Sequence, residues 1–364
     1  MQNIYSYVRE MGHLPFSRFP FNEADNLVFS VFCYLDLDEV IPPPGRQPVS
    51  FMHAARRYFR IHGLPETSKD DGSNSSDALQ RLFLRMAKAP RYQKMMLSSY
   101  FDIFDPRKTE QLTVFCIHYS DQQIFIAYRG TSDSLMGWKE DFLLAATGRI
   151  CSQEDALRYL LMTAHRYPNC RLDIGGHSKG GHLAVYAASC APQAVQKQID
   201  SVWCNDGPGF SSDFRDSAGY RRIAPKIHSY VPKASIASML YPHSESYTVV
   251  DSCASGIVQH DAKTWIIRDG HLAVLPERTR QSLAAEKRIR SWLDMFSQED
   301  LLHYVEILFD ILYRTGAETF PELTKIGIRS LPPAVSGVRR LPSRDRRWLR
   351  KFLFLLLGTV RRLR

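Results

Sequence analysis

Ser178 is bracketed by glycines two residues to either side, in Gly176-His177-Ser178-Lys179-Gly180. The apolar run Leu172-Asp173-Ile174-Gly175 precedes it, and the small-residue run Gly181-His182-Leu183-Ala184-Val185-Tyr186-Ala187-Ala188 follows. This pattern predicts a short strand, a sharp turn and a helix: a nucleophile elbow. At the tip of such a turn a strained backbone pushes the serine hydroxyl out over the sheet. The residues two before and two after must be small, because strand and helix pass close together there. The helix aims its N-terminus at the serine, and the backbone N–H of Lys179 faces a developing oxyanion. The chemistry served is nucleophilic attack on an acyl carbon. The plain structural alternative is a glycine-rich turn whose Ser178 only caps the helix.

A serine nucleophile needs a base within hydrogen-bond reach, and the base needs an orienting acid. Five histidines follow at a separation that leaves room for further strands: His228, His243, His260, His271 and His303. His228 falls inside a strand-like run and His303 inside a helical one. His260 lies on a loop between strand-like segments, flanked by Gln259 and Asp261, and is the preferred base, with His243 and His271 as alternatives. For the acid, Asp206 follows the strand after the elbow and is held among Gly and Pro residues. Asp251 ends a later strand and Asp261 adjoins the histidine, so the choice among the three stays open. Asp206 could equally shape its own turn. Arg129-Gly130-Thr131 follows a central strand, where Thr131 can join the Lys179 amide around the oxyanion.

The elements that must hold these residues are legible in outline. Asn22 caps a helix with Leu27, Val28, Val31, Phe32 and Leu35 on one face. Residues 68–77 read as an exposed loop, with helices expected over 78–87 and part of 92–101. Strands at 111–119 and 122–128 are joined by a tight turn. A helix over 153–166, the elbow strand and helix, and a strand at 199–204 form alternating units, which favours a parallel sheet with right-handed crossovers. Further strands are expected at 226–231, 247–251 and 264–267, and helices at 278–296 and 298–315.

Composition narrows the classes. A chain of 364 residues can bury a large core. Its seven cysteines are scattered without a CxxC pair, which points to reduced, buried thiols rather than a disulfide framework or a zinc site. The N-terminus carries no basic segment followed by an apolar one, so no secretory signal is visible, and no run is long enough to span a bilayer. These features lead to an expectation of a cytoplasmic protein. Residues 325–364 hold 12 basic side chains and one acid; subtracting these from 47 basic and 38 acidic residues leaves 35 and 37 in the body. The body is near neutral, which argues against a nucleic-acid-binding face. The tail run Arg346-Arg347-Trp348-Leu349-Arg350-Lys351-Phe352-Leu353-Phe354 is short, apolar and bracketed by arginines, with Trp348 and Phe352 suited to an interface. It is expected to lie on an anionic membrane surface, at the inner face, or else to dock on the domain with its charges solvated.

Two resemblances add to this reading. Tyr128-Arg129-Gly130-Thr131, followed by Trp138 and Asp141, resembles the (F/Y)-R-G-(S/T) segment of class 3 (fungal-type) triacylglycerol lipases, and 176–180 matches their elbow. The resemblance implies that Thr131 supplies the oxyanion hole and that Asp141 supports it. The whole course over about residues 1–320 resembles a bacterial family of lipase-like α/β-hydrolases of unknown function (Mbeg-like). Its landmarks are Phe21-Asn22-Glu23, Tyr34-Leu35-Asp36, the elbow, Asn205-Asp206-Gly207-Pro208-Gly209, Val231-Pro232-Lys233-Ala234-Ser235 and Gln259-His260-Asp261. One departure stands out. Class 3 lipases carry an aspartate where this chain has Ser229, before Tyr230-Val231-Pro232.

The expectations are therefore an α/β-hydrolase, with a mostly parallel central sheet flanked by helices and with helical N- and C-terminal additions. Residues 1–110 are read as a helical N-terminal part, 111–320 as the hydrolase core with its C-terminal helices, and 321–364 as the basic tail. The expected activity is a serine esterase or lipase acting on a carboxylic ester, with Ser178, His260 and Asp206 as the triad and Thr131 and Lys179 at the oxyanion hole. No cofactor or metal is implied. The alternatives are a peptidase or thioesterase on the same machinery, and a degenerate hydrolase fold serving as a membrane-associated scaffold.

Overall fold

The computed structural model describes residues 2–65, 76–235, 246–325 and 331–363. Its centre is a nine-stranded sheet built from β1 (Val49–Ser50), β2 (Met96–Asp105), β3 (Glu110–Ser120), β4 (Gln123–Tyr128), β5 (Arg171–His177), β6 (Ile199–Asn205), β7 (Ile227–Pro232), β8 (Thr248–Val250) and β11 (Val274–Leu275). The strands lie in that order across the sheet. β4 through β8 run parallel, while β1, β2 and β3 on one side and β11 on the other are antiparallel. β9 (Ile267–Arg268) and β10 (His271–Leu272) form a separate small hairpin.

Period-two alternation sends successive side chains to opposite faces. On β3 and β4, Leu112, Val114, Cys116, Ile124, Ile126 and Tyr128 face the helices Cys151–Arg166 and Lys179–Cys190. Phe115, Ile117, Phe125 and Ala127 face the opposite layer, built from the N-terminal helices, with Phe29, Phe32, Phe51 and Phe83 at its centre. Both layers are needed, because parallel strands are buried on both faces. The helix Glu23–Phe32 starts as expected, with the Asn22 side chain accepting from the backbone of Ala24 and Asp25. A third cluster joins the helices Arg280–Leu293, Gln298–Tyr313 and Ser343–Leu363.

Three local expectations are corrected. Residues 96–105 form β2, not a helix; only Pro90–Gln93 is helical there. β2 pairs with β3 from Met96 to Asp105, and this long-range ladder outweighs the helical pattern. The segment 1–110 thus supplies β1 and β2 to the central sheet as well as helices. Residues 264–267 form no single strand: Ala262–Thr264 is a 3₁₀ turn and β9 begins only at Ile267. The loop expected at 68–77 falls outside the described residues up to 75, and Ser76 already begins the helix Ser76–Lys88. None of the seven cysteines is in a disulfide. No described helix is long and apolar enough to cross a membrane.

Candidate active site

The strand β5 ends at His177 and the next helix starts at Lys179, so Ser178 alone makes the turn. Its backbone stands at φ 57 and ψ −131, a region that L-residues other than glycine rarely adopt. The turn closes because the chain around it is glycine. A Cβ on Gly180 would lie 2.1 Å from the Tyr128 carbonyl oxygen, and one on Gly176 would lie 2.3 Å from the same atom. The Ser178 N–H donates to the Asn205 carbonyl at 2.8 Å, which ties the elbow to the end of β6.

One residue further along, Asp206 sits fully buried with φ 50. Its N–H donates to the Tyr230 carbonyl at 2.8 Å. The turn Gly256–His260 carries His260 above it. A carboxylate only accepts, so His260 Nδ1 donates to Asp206 Oδ2, at 2.6 Å. That tautomer leaves Nε2 as an acceptor for the Ser178 hydroxyl, at 3.0 Å. Ser178, His260 and Asp206 thus form one hydrogen-bonded chain. Burial pushes the Asp206 carboxyl up, but the neighbouring His260 charge and the hydrogen bonds from His260 and Ser235 hold it below the usual carboxylate range. Burial works against the imidazolium of His260 too, yet Asp206 beside it carries its pKa above 6.5.

The other candidates lie elsewhere. Asp251 pairs with Lys233 at 2.9 Å, and Asp261 accepts from the Lys263 backbone at 3.0 Å and faces its ammonium. His271 bonds Glu23 at 2.8 Å and is exposed. His228 stacks on Trp203, and His303 faces Asp345 at 3.3 Å. His243 lies outside the described residues. Ser229 is buried, and its hydroxyl has no partner among the described residues. The carboxylate that meets His260 is that of Asp206, one residue past the end of the neighbouring strand β6.

Around the serine, the Arg129–Thr131 loop is pressed against the elbow: a Cβ on Gly130 would lie 2.5 Å from the His177 carbonyl oxygen. The Thr131 hydroxyl donates to Asp141 Oδ2 at 2.7 Å, and burial raises the Asp141 pKa to about 6. The Lys179 amide heads the elbow helix, while its side chain takes a separate role. Fully buried, its ammonium pairs with Glu140 and donates to the Gln111 carbonyl at 2.8 Å. Glu140 also accepts from the Gln111 N–H at 3.2 Å, and Gln111 in turn holds the Ser132 N–H at 3.1 Å. Removing either partner would leave the other charge buried and unpaired, which is costly.

Three supports carried no assigned role at the level of sequence. Ser235 donates to the second oxygen of Asp206. His177 Nε2 donates to the His260 carbonyl at 2.6 Å, and its Nδ1 accepts from the Tyr34 hydroxyl at 3.0 Å. Burial pushes the His177 pKa down to about 3, so it stays neutral and keeps this tautomer. Asn26 and Asn205 exchange side-chain hydrogen bonds at 3.0 and 3.2 Å, linking the helix Glu23–Phe32 to the end of β6. Tyr34 and Asp206 both fall in landmark segments of the resemblance, which is the only signal that marked Tyr34. The pairing itself is a tertiary fact.

The parallel sheet with the strand–serine–helix elbow at its C-terminal edge, flanked by helices on both faces, defines the α/β-hydrolase fold in its lipase-like form. Residues 86–310 match the Mbeg1-like family, and this chain belongs to it. No curated protein matches the sequence. Among solved structures, the chain is similar to a Rhizomucor miehei lipase propeptide complex at 12% identity and TM-score 0.35, covering 64% of this chain and 68% of that one. It is similar to the Yarrowia lipolytica Lip2 lipase at 13% identity and TM-score 0.34, covering 67% and 84%. It is also similar to M37 lipase at 18% identity and TM-score 0.34, covering 53% and 69%.

Proposed function

We propose that this protein is a serine hydrolase that cleaves a carboxylic ester. The observation that carries the reading is the hydrogen-bonded chain from Ser178 Oγ through His260 to buried Asp206. In this reading Ser178 Oγ attacks the acyl carbon while His260 Nε2 takes its proton. The carbonyl oxygen becomes an oxyanion, which the Lys179 amide at the helix N-terminus and Thr131 stabilise. His260 then returns the proton to the leaving alkoxide as the tetrahedral intermediate collapses to an acyl-enzyme and an alcohol. A water, deprotonated by the same imidazole, releases the acid. Asp206 keeps the tautomer and balances the imidazolium. Residue chemistry requires no cofactor for any of these steps.

The test is covalent labelling with a fluorophosphonate, followed by peptide mass mapping. Stoichiometric phosphonylation at Ser178 is expected. A folded protein that stays unlabelled would leave a non-catalytic binding role as the better account of the fold. The pH profile is a further expected result. The base must be neutral to act, and Asp206 holds the His260 pKa above that of a free imidazole, so kcat/KM should fall with acid along a limb displaced upward from the ordinary histidine range. A limb displaced downward, below the range of a free imidazole, would mean that Asp206 does not face the working base.

A further inference from the structure

Helix Ser343–Leu363 resolves the two roles expected of the tail, and it does so residue by residue. Its Trp348, Leu349 and Phe352 are turned inward. Trp348 stacks on Tyr304 with ring centroids 4.2 Å apart and lies 5.6 Å from Trp292, and Phe352 meets Phe142 at 6.1 Å. The two aromatics expected at an interface are therefore consumed in docking the helix on the domain, which corrects that expectation. At 100° per residue the opposite face carries Arg346, Arg347, Arg350, Lys351, Leu353 and Phe354, all of them exposed. Phe354 is 81% exposed and lies in the middle of that arc, among the cations.

Among the described residues, Arg347, Arg350 and Lys351 have no carboxylate within salt-bridge distance, whereas Arg344 is paired with Asp300. Phe354, Arg350 and Lys351 also line a groove with Trp292. Phe354 and Leu353 are two exposed large apolar side chains next to one another on the face that carries the cations. Cations ringing an exposed aromatic and an exposed leucine match the boundary between anionic headgroups and acyl chains. Nucleic acid would match the charges but leave Leu353 unaccounted for. The helix also packs beside the turn Gly256–His260, the turn that carries His260.

We infer that the outer face of helix Ser343–Leu363, formed by Arg347, Arg350, Lys351, Leu353 and Phe354, docks this protein on an anionic phospholipid bilayer. The docking does not depend on the hydrolytic reading. The body is near neutral, so the attraction comes from the tail and acts within a Debye length of the surface.

The test is co-sedimentation of the full chain with vesicles of phosphatidylcholine alone or mixed with phosphatidylglycerol. Binding is expected only to the anionic vesicles and is expected to weaken as salt rises. Each cation near the surface contributes about fivefold in affinity, so Arg347→Glu with Arg350→Glu should weaken binding by well over tenfold. Phe354→Ser should weaken it several-fold at unchanged charge. All three positions are exposed, so circular dichroism and the melting temperature should not change. Equal binding to neutral vesicles, or anionic binding that survives both variants, would overturn the inference. Stronger binding to a nucleic acid than to anionic vesicles would overturn it too. A Ser178→Ala protein should bind vesicles as the wild type does, which keeps docking and hydrolysis separately measurable.

Discussion

Ser178→Ala is expected to lower kcat for a soluble p-nitrophenyl ester by roughly 10⁶-fold, and His260→Ala by a similar factor, with no further loss in the double variant. Non-additivity follows from the geometry. The hydroxyl and the imidazole meet at 3.0 Å and act as one unit, so removing either removes proton transfer altogether. What remains comes from the oxyanion donors and substrate binding. The alanine at 178 removes only the hydroxyl and leaves the elbow backbone bonded to Asn205. Melting temperatures within a few degrees of wild type would show that the loss is chemical. Turnover that survives Ser178→Ala would remove the serine mechanism. Losses that multiply in the double variant would show that the two residues act separately.

Asp206→Asn is expected to lower kcat by about 10⁴-fold while KM changes little. An amide in place of the carboxylate can meet Nδ1 with its own N–H. His260 then carries its proton on Nε2, where it faces Ser178 and can no longer accept. The same variant leaves the Ser235 hydroxyl a carbonyl or amide to bond, so the pocket stays filled. Asp251→Asn provides the contrast. Asp251 is paired with Lys233 at a distance from His260, and its removal should change kcat by less than twofold. If Asp251→Asn produced the larger loss, the acid would be the one at the end of β8, and the hydrogen bond from His260 to Asp206 would be structural only.

Much of the site was legible in order along the chain because elbows are local objects. Gly176, Ser178 and Gly180 must be close in space for the same reason that they are close in sequence, and the apolar strand before them and the small-residue helix after them complete the unit. Thr131 and Asp141 are ten residues apart, within reach of one loop and the helix behind it. His260 was distinguishable from His228 and His303 because a base must sit on a loop, and those two fall in periodic segments.

The acid was not decidable in that way. Asp206, Asp251 and Asp261 all sit at the ends of strand-like runs or beside the histidine, and choosing among them needs the lateral order of strands. The register of β6 against β7, with Asn205 opposite Tyr230, places Asp206 beneath the Gly256–His260 turn. β2 is hidden in the sequence for a related reason. Its residues hold a helix-compatible pattern, and only the partner strand β3 makes the extended form the cheaper one.

The amino-acid sequence alone determined the strand–serine–helix elbow with Ser178 at its tip, the short spacing of Thr131 and Asp141, the near-neutral body and the basic tail, because each depends on residue type and short spacing. The tertiary structure decided which aspartate meets His260 and which neutral histidine holds its carbonyl. It also decided which aromatics of the tail face the protein and which face water. Each of these is a contact between segments tens to hundreds of residues apart, and such contacts are set by sheet register and helix packing, which no local pattern encodes.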